Sequence, residues 1–248
     1  MKIFRLLSLL LVVLLASCLN KKKSADTGMP GNESRYVVLA YVTSWGVSTP
    51  ETSCLTHINY AFGHVADDNK GIRIDNEPRL QMIVGLKKEK PSLKVLLSVG
   101  GWGSSRFSEM AANDSTRTAF AADCRRVIDK FGLDGIDIDW EYPGSGTAGI
   151  SFSSADKENF TLLMRDVRQA VGKDKLLTIA TAATGRYYDF RAIEPYVDYV
   201  NIMAYDMEEA PFHHAALHCS DMTEEWSCEK AVAGHIAGGF PVQRLVSV

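Results

Sequence analysis

DGIDIDWEYP, residues 134–143, puts Asp134, Asp137, Asp139 and Glu141 within eight positions, interleaved with Ile136, Ile138 and Trp140. Strand interiors disfavour acids, and neighbouring like charges repel. Alternate residues of a strand point to opposite faces, so Asp137, Asp139 and Glu141 share one side at about 6–7 Å spacing. Ile136, Ile138 and Trp140 take the other side. A chain that gathers acids on one face of an otherwise apolar strand is building a site on that face and a core on the other.

The surrounding sequence says what kind of sheet holds this strand. RYVVLAYVTSW (35–45) and HINYAFGHV (57–65) are apolar, β-branched and aromatic, as buried strands are. NEPRLQMIVGLKKEKP (76–91) has helical spacing at Leu80, Ile83, Val84 and Leu86, with Pro91 beyond its end. LKVLLSVGGWG (93–103) is the third strand, and STRTAFAADCRRVIDKFG (115–132) is a helix with Ser115 as N-cap and Gly132 as stop. After the acid strand come a helix in SADKENFTLLMRDVRQAVG (154–172), strands in KLLTIATAATG (175–185) and YVDYVNIMAYD (196–206), and a helix in SCEKAVAGHIAGG (227–239). QRLVSV (243–248) opens a seventh strand.

Strands alternating with helices imply parallel pairing through right-handed crossovers, in either a doubly wound sheet or a closed barrel. Thr43-Ser44-Trp45-Gly46 is not the glycine-rich turn of a dinucleotide-binding sheet. Polar and small residues collect instead at the C-terminal ends of several strands: Ser98 to Gly101, Asp137 to Glu141, Thr181, and Tyr205-Asp206. Sites of eight-fold (β/α) barrels are assembled at those ends. The fold class is therefore α/β, a TIM-type barrel, with the acids facing its lumen.

At 248 residues, 46% hydrophobic and 23% charged, the chain can bury a large core. A net charge of −3 without a basic stripe argues against nucleic acid as a partner. Residues 1–17 have Lys2 and Arg5, an apolar run too short to span a bilayer, and small residues before Cys18, as a secretory signal does. Leu15-Ala16-Ser17-Cys18 resembles a bacterial lipobox, which implies lipidation of Cys18, membrane attachment through that anchor, and an outer-membrane or cell-surface location. Residues 18–34, with Lys21-Lys22-Lys23, then form a flexible tether, and residues 35–248 the barrel. Cys219 and Cys228 are close enough in sequence to bridge a loop, although spacing does not fix the pairing, and Cys124 reads as a small core residue.

Three carboxylates in one pocket push at least one pKa upward, so one acid stays protonated near neutral pH, as general-acid catalysis requires. A metal would find ligands here from one strand only, with no paired histidine nearby. His213, His214, His218 and Cys219 sit in one loop without regular zinc spacing. No metal and no cofactor is expected. A salt-bridge ladder would need arginines facing the row, and the flanking strands supply none.

The motifs carry a family. Asp134-Gly-Ile-Asp137-Ile-Asp139-Trp-Glu141 is similar to the D-G-x-D-x-D-x-E signature of family 18 glycoside hydrolases, the chitinase family. Ser98-Val99-Gly100-Gly101 resembles its S-x-G-G motif, and Met203-Ala204-Tyr205-Asp206 its M-x-Y-D motif, in the family's order. The resemblance implies hydrolysis of β-1,4-linked N-acetylglucosamine chains by a substrate-assisted route through an oxazolinium ion, with retention. Glu141 is then the acid, Asp139 the partner of the acetamido N–H, and Asp137 the group that shares a proton with Asp139. Tyr205 holds the acetamido carbonyl, Asp206 supports the polar network around it, and Asp134 bonds backbone at the strand entrance. Tyr41, Phe62, Trp102 and Tyr142 are expected as sugar platforms, Met203 as pocket wall, and Ser98, Gly100, Gly101 and Ala182 as small residues leaving room beneath the sugar. Two other readings stay open: an endo-β-N-acetylglucosaminidase acting on N-glycans, and a glycan-binding barrel without turnover. The chain ends inside its seventh strand, where a full barrel of this type takes about 50–80 further residues. The expectation is a partial barrel with open edges, poorly folded and weakly hydrolytic in this form.

Overall fold

The computed structural model describes residues 36–223 and 225–248. The expected signal segment, Cys18 and the expected tether lie outside the described residues. Among the described residues no helix is long and apolar enough to cross a membrane.

Eight strands form one sheet: β1 Leu39–Thr43, β2 His57–Val65, β3 Ile72–Ile74, β4 Lys94–Gly100, β5 Gly135–Asp139, β6 Leu176–Ala182, β7 Tyr199–Met203 and β8 Leu245–Ser247. Their order is β1-β2-β4-β5-β6-β7-β8, every neighbouring pair parallel, with β3 added antiparallel to β2. The path begins at β1 and ends at β8, and it curls into a partial TIM-type barrel. The helices are α1 Glu77–Gly85, α2 Phe107–Ala111, α3 Asp114–Phe131, α4 Asp156–Val171, α5 Phe190–Ile193 and α6 Cys228–Gly238. The short elements β3, α2 and α5 were not foreseen from the sequence.

Local signals set the helix ends. Asn76 caps α1 through its side chain, and Gly132 ends α3 in the left-handed region (φ 69°), which a residue without Cβ adopts without strain. The N-cap of α3 is Asn113 and not Ser115: the chain leaves α2 extended at Asn113 (φ −121°, ψ 140°), so Ser115 falls within the first turn. Ser227 caps α6, its hydroxyl accepting from the Lys230 amide.

The core lies between the outer face of the sheet and the helices. Ile136, Ile138 and Trp140 are fully buried there, and the Trp140 ring stacks on Phe107 of α2 at 5.3 Å and meets Phe160 of α4 at 6.1 Å. Thr181 also belongs to this face. It was expected to contribute to the polar mouth, but its hydroxyl meets Nε2 of buried His235 on α6 at 2.9 Å. Its neighbours Thr178, Ala180 and Ala182 have the opposite parity and take the lumen side.

Candidate active site

Asp137 stands at the centre of the lumen. Its carboxylate accepts hydrogen bonds from Tyr41 on β1 (3.0 Å), Ser98 on β4 (2.8 Å), Thr178 on β6 (2.6 Å) and Asn201 on β7 (3.0 Å). Donors from four strands can converge on one carboxylate only if the sheet is curled around it. Burial raises the pKa of Asp137, and these hydrogen bonds pull against that rise. The Tyr41 hydroxyl also accepts from Asn201 at 3.2 Å. Expected as a sugar platform, Tyr41 holds Asp137 by its hydroxyl and also lines the cleft.

Above Asp137 comes Asp139, 4% exposed, with a buried Oδ1 that has no protein partner. Burial, then the charges of Glu141 and Asp137, hold its pKa well above the ordinary carboxylate range. Glu141 lies two residues beyond the end of β5, because the ladder stops at Asp139. Burial raises its pKa too, offset in part by the neighbouring Tyr142 hydroxyl. Protons are thus retained at the top of the row, and Glu141 is the member nearest solvent.

Both acids open into a cleft of about 910 Å³ whose lining includes Tyr41, Phe62, Trp102, Tyr142, Met203 and Tyr205, a volume at the upper end of ordinary ligand sites. Trp102 is 63% exposed, free to meet a flat ligand face. Met203 is buried and forms wall. Tyr205, exposed at the rim, has its pKa pushed up to about 12 by desolvation and then by the charges of Asp139, Glu141 and Asp206.

Several expected roles change. Asp206 lines the cleft but stands apart from the polar network. The chain turns at Asp206 (φ 49°), and its carboxylate, 85% exposed, pairs with His214 at 3.5 Å. Gly100 and Gly101 make room for the protein's own atoms. A Cβ on Gly100 would lie 1.9 Å from the Asp139 carbonyl oxygen, and one on Gly101 would lie 2.8 Å from the Phe62 ring. Ser98 serves as a donor to Asp137 instead of leaving space. Asp134 accepts from the Val95 amide (2.9 Å) and pairs with Lys87 (2.6 Å) at the strand entrance, and Ala182 lines the cleft.

His218 pairs with Glu229 at 3.0 Å, so His214 and His218 of the 205–227 loop go to separate carboxylates. Cys219 and Cys228 are free thiols, the first against the Ser227 hydroxyl and the second against the Ala204 carbonyl. Cys124 is buried in the core, where desolvation raises its thiol pKa.

The sequence reading missed Thr178 and Asn201, although strand parity points both at the lumen. It also missed Arg186, Tyr187, Glu225 and Trp226, which line the cleft from the segments after β6 and β7. Those residues sit outside regular elements, where no periodicity reports side-chain direction.

Residues 37–248 match the family model described as Glycosyl hydrolases family 18. Among named relatives, "Probable chitinase 2" of Drosophila melanogaster is 33% identical over 79% of this chain and 45% of its own length. "Chitinase A1" of Niallia circulans is 29% identical over 99% of this chain and 46% of its own. The chain thus spans under half the length of these relatives. Among solved structures, the chitinase domain of the spore coat protein CotE from Clostridium difficile superposes with a TM-score of 0.82 at 33% identity, covering 90% of this chain and 67% of that one. A family 18 N-acetylglucosaminidase from Paenibacillus barengoltzii gives 0.79 at 36% identity, with 86% and 67% covered. By sequence and by fold, this chain belongs to family 18 of the glycosyl hydrolases.

Proposed function

We propose that the protein cleaves β-1,4-linked N-acetylglucosamine polymers, with retention, by substrate-assisted catalysis. The observation that carries this reading is the buried row Asp137–Asp139–Glu141 rising from the lumen into an aromatic cleft, with its outermost acid beside solvent. In the proposed reaction Glu141 gives its proton to the glycosidic oxygen as that bond to the anomeric carbon breaks. The sugar's own acetamido carbonyl oxygen bonds to the anomeric carbon from the opposite face, forming an oxazolinium ion. Asp139 accepts the acetamido N–H as positive charge develops on that group. Its buried, unpartnered Oδ1 suits such a donor, since an unmet acceptor costs about 1–3 kcal/mol until something fills it. Water, deprotonated by Glu141, then opens the oxazolinium and restores the acid.

Asp137, with a donor from each of four strands, takes up or releases the proton that Asp139 no longer needs. Tyr205 lies across the cleft as the donor to the acetamido oxygen. Asp206 shapes the rim. Chitotetraose assayed beside a high-mannose glycopeptide separates this reading from an N-glycan endoglycosidase. Glu141→Gln keeps the shape and removes the acid, so turnover should fall by about 10²–10⁴-fold while oligosaccharide affinity stays within a few-fold. Unchanged turnover in that variant would refute the assignment, and binding without turnover in the unaltered protein would favour a glycan-binding barrel.

We also propose lipidation at Cys18 and attachment to the outer membrane or cell surface. The support is the Leu15-Ala16-Ser17-Cys18 sequence after a short apolar run. Metabolic labelling with an alkynyl fatty acid should mark the unaltered protein and leave Cys18→Ser unlabelled.

A further inference from the structure

Trp102, 63% exposed, sits in a four-residue turn, Gly101 to Ser104, that follows the C-terminal end of β4. The Ser104 amide donates to the Gly101 carbonyl at 2.9 Å and closes the turn. Gly103 takes the left-handed φ of 78° that a turn of this hand places on its third residue. The indole meets the Tyr142 ring only edge-on, at 6.3 Å between centroids. An indole so exposed is aimed chiefly by the backbone that carries it, and that backbone is held at its two ends.

The first end is fixed against the acid strand. The Gly101 amide donates to the Asp139 carbonyl at 2.9 Å, and the Phe62 ring fills the space beside Gly101. The second end is fixed from β2. The Ser104 hydroxyl meets Nδ1 of His64 at 2.9 Å, and Nε2 of the same ring meets the Asp75 carboxylate at 3.0 Å, just beyond β3. A carboxylate only accepts, so Nε2 carries the hydrogen and Nδ1 of the neutral ring accepts from the Ser104 hydroxyl. Asp75 is itself tied down. Its amide donates to the Phe62 carbonyl at 3.1 Å, its carbonyl accepts from the Tyr60 hydroxyl at 2.9 Å, and its carboxylate pairs with Arg73. Neither Ser104 nor His64 belongs to the cleft lining, so this line of contacts serves the turn and not the reacting sugar.

From this geometry we infer that His64 is a positioning residue for Trp102. It acts through the Ser104 hydroxyl and the turn that Ser104 closes, and it thereby strengthens the hold on the N-acetylglucosamine unit that rests on the indole. The sugar half of this inference rests on the proposed function, whereas the coupling of His64 to the turn does not.

Backbone ¹⁵N relaxation at the Trp102 and Gly103 amides tests the coupling without sugar. In the unaltered protein their order parameters should be near those of rigid backbone, about 0.85. His64→Phe keeps a ring against Phe62, whose centroid lies 6.3 Å away, and removes both hydrogen bonds. Order at the two amides should then fall below about 0.6. Ser104→Ala should produce the same fall, and the doubly substituted protein no more than either alone, the non-additivity of one shared contact. His64→Asn returns an acceptor near the place of Nδ1 and should recover at least half of the loss. Unchanged order in folded His64→Phe, or losses that add in the double variant, overturns the inference. Should His64→Phe fail to fold, Ser104→Ala on the partly exposed turn decides: lost order supports the coupling, and unchanged order refutes it.

Calorimetry with chitotetraose, in a Glu141→Gln background that prevents turnover, tests the sugar half. His64→Phe should weaken binding by about 3–10-fold. In protein already carrying Trp102→Ala, the same substitution should change affinity by less than about twofold. A weakening that persists without the indole shows that His64 acts by another route, and overturns the assignment. Failure of the unaltered protein to bind chitotetraose counts against the proposed function, and the order parameters then judge the coupling alone.

Discussion

On the lumen side of β5, Asp137 meets four hydrogen-bond donors drawn from β1, β4, β6 and β7. On the helix side, one residue along the same strand in either direction, Ile136 and Ile138 are fully buried in an apolar layer. Trp140 continues that layer with rings from α2 and α4 stacked or tilted against it. Every residue of β5 is buried, so burial does not distinguish the faces. Parity does. One face exchanges water for hydrocarbon, which stabilises without direction; the other exchanges water for aimed donors, which fixes a charge in place. Separating the two by a single residue lets the strand hold costly acids, because the next residue contributes what the acid consumes.

The separation breaks most visibly on the apolar side. Ile136→Ala deletes buried methyl groups beneath the helices and leaves a cavity. It should lower stability by about 2–5 kcal/mol, a fall in Tm of roughly 5–15 °C for a domain this size. Calorimetry checks the loss, and oligosaccharide affinity measured well below the new Tm should stay within a few-fold of the original. A large loss of affinity in a fully folded variant would mean that the faces are not independent.

A smaller effect of opposite sign is expected in the lumen. Asp139 is buried, and desolvation with the charges of Glu141 and Asp137 holds its pKa well above the usual carboxylate range. The folded state therefore keeps a proton that the unfolded chain has released. For a group raised in this way, stability is full below the unfolded value near pH 4 and falls as pH climbs through the folded value. Asp139→Asn cannot ionise and escapes that fall. It should be about 1–3 kcal/mol more stable than the original at pH 8 and nearly equal to it at pH 4, while turnover drops. Urea unfolding at the two pH values makes the comparison. An equal gain at both, or a loss at pH 8, would show that the charge on Asp139 is not what burdens the fold.

How far these faces were legible depended on whether a residue's direction follows from its own strand. Asp137 and Asp139 obey period two, so the sequence placed them toward the lumen and placed Trp140 against the helices. The same rule, carried to YVDYVNIMAYD and KLLTIATAATG, would have found Asn201 and Thr178, and it would have excluded Thr181 from the mouth. Thr181 misled because a hydroxyl on a strand suggests a polar neighbourhood, whereas its actual partner, His235, arrives from a helix 54 residues away. Asp206 misled because the chain turns at φ 49° just beyond β7, and no periodicity survives that turn. Tyr187 and Trp226 were out of reach for a similar reason: loops place them, and each loop path is set by contacts such as those of Tyr188 and Glu208 that appear only after folding. The neighbouring β3, α2 and α5 are too short to show a period at all.

The two threonines of β6 give the finest version of the comparison, since they differ in parity and in little else. Thr178 donates to Asp137 at 2.6 Å and Thr181 meets His235 at 2.9 Å, both fully or almost fully buried. Replacing either with valine keeps the volume and removes one hydrogen bond, so each should cost about 1 kcal/mol near neutral pH. Their consequences for the site should differ. Thr178→Val takes one of four donors from Asp137, whose pKa then rises further as burial is less opposed, so kcat should fall several-fold and its acidic limb move upward. Thr181→Val leaves His235 with its Nδ1 contact to the Ala231 carbonyl at 2.7 Å and touches nothing in the lumen, so kcat should stay within about twofold. Matched losses of stability with unmatched losses of rate would locate the function on one face of a shared strand. Matched losses of both would mean that β6 transmits strain from its helix side to Asp137, and that the two faces work as one.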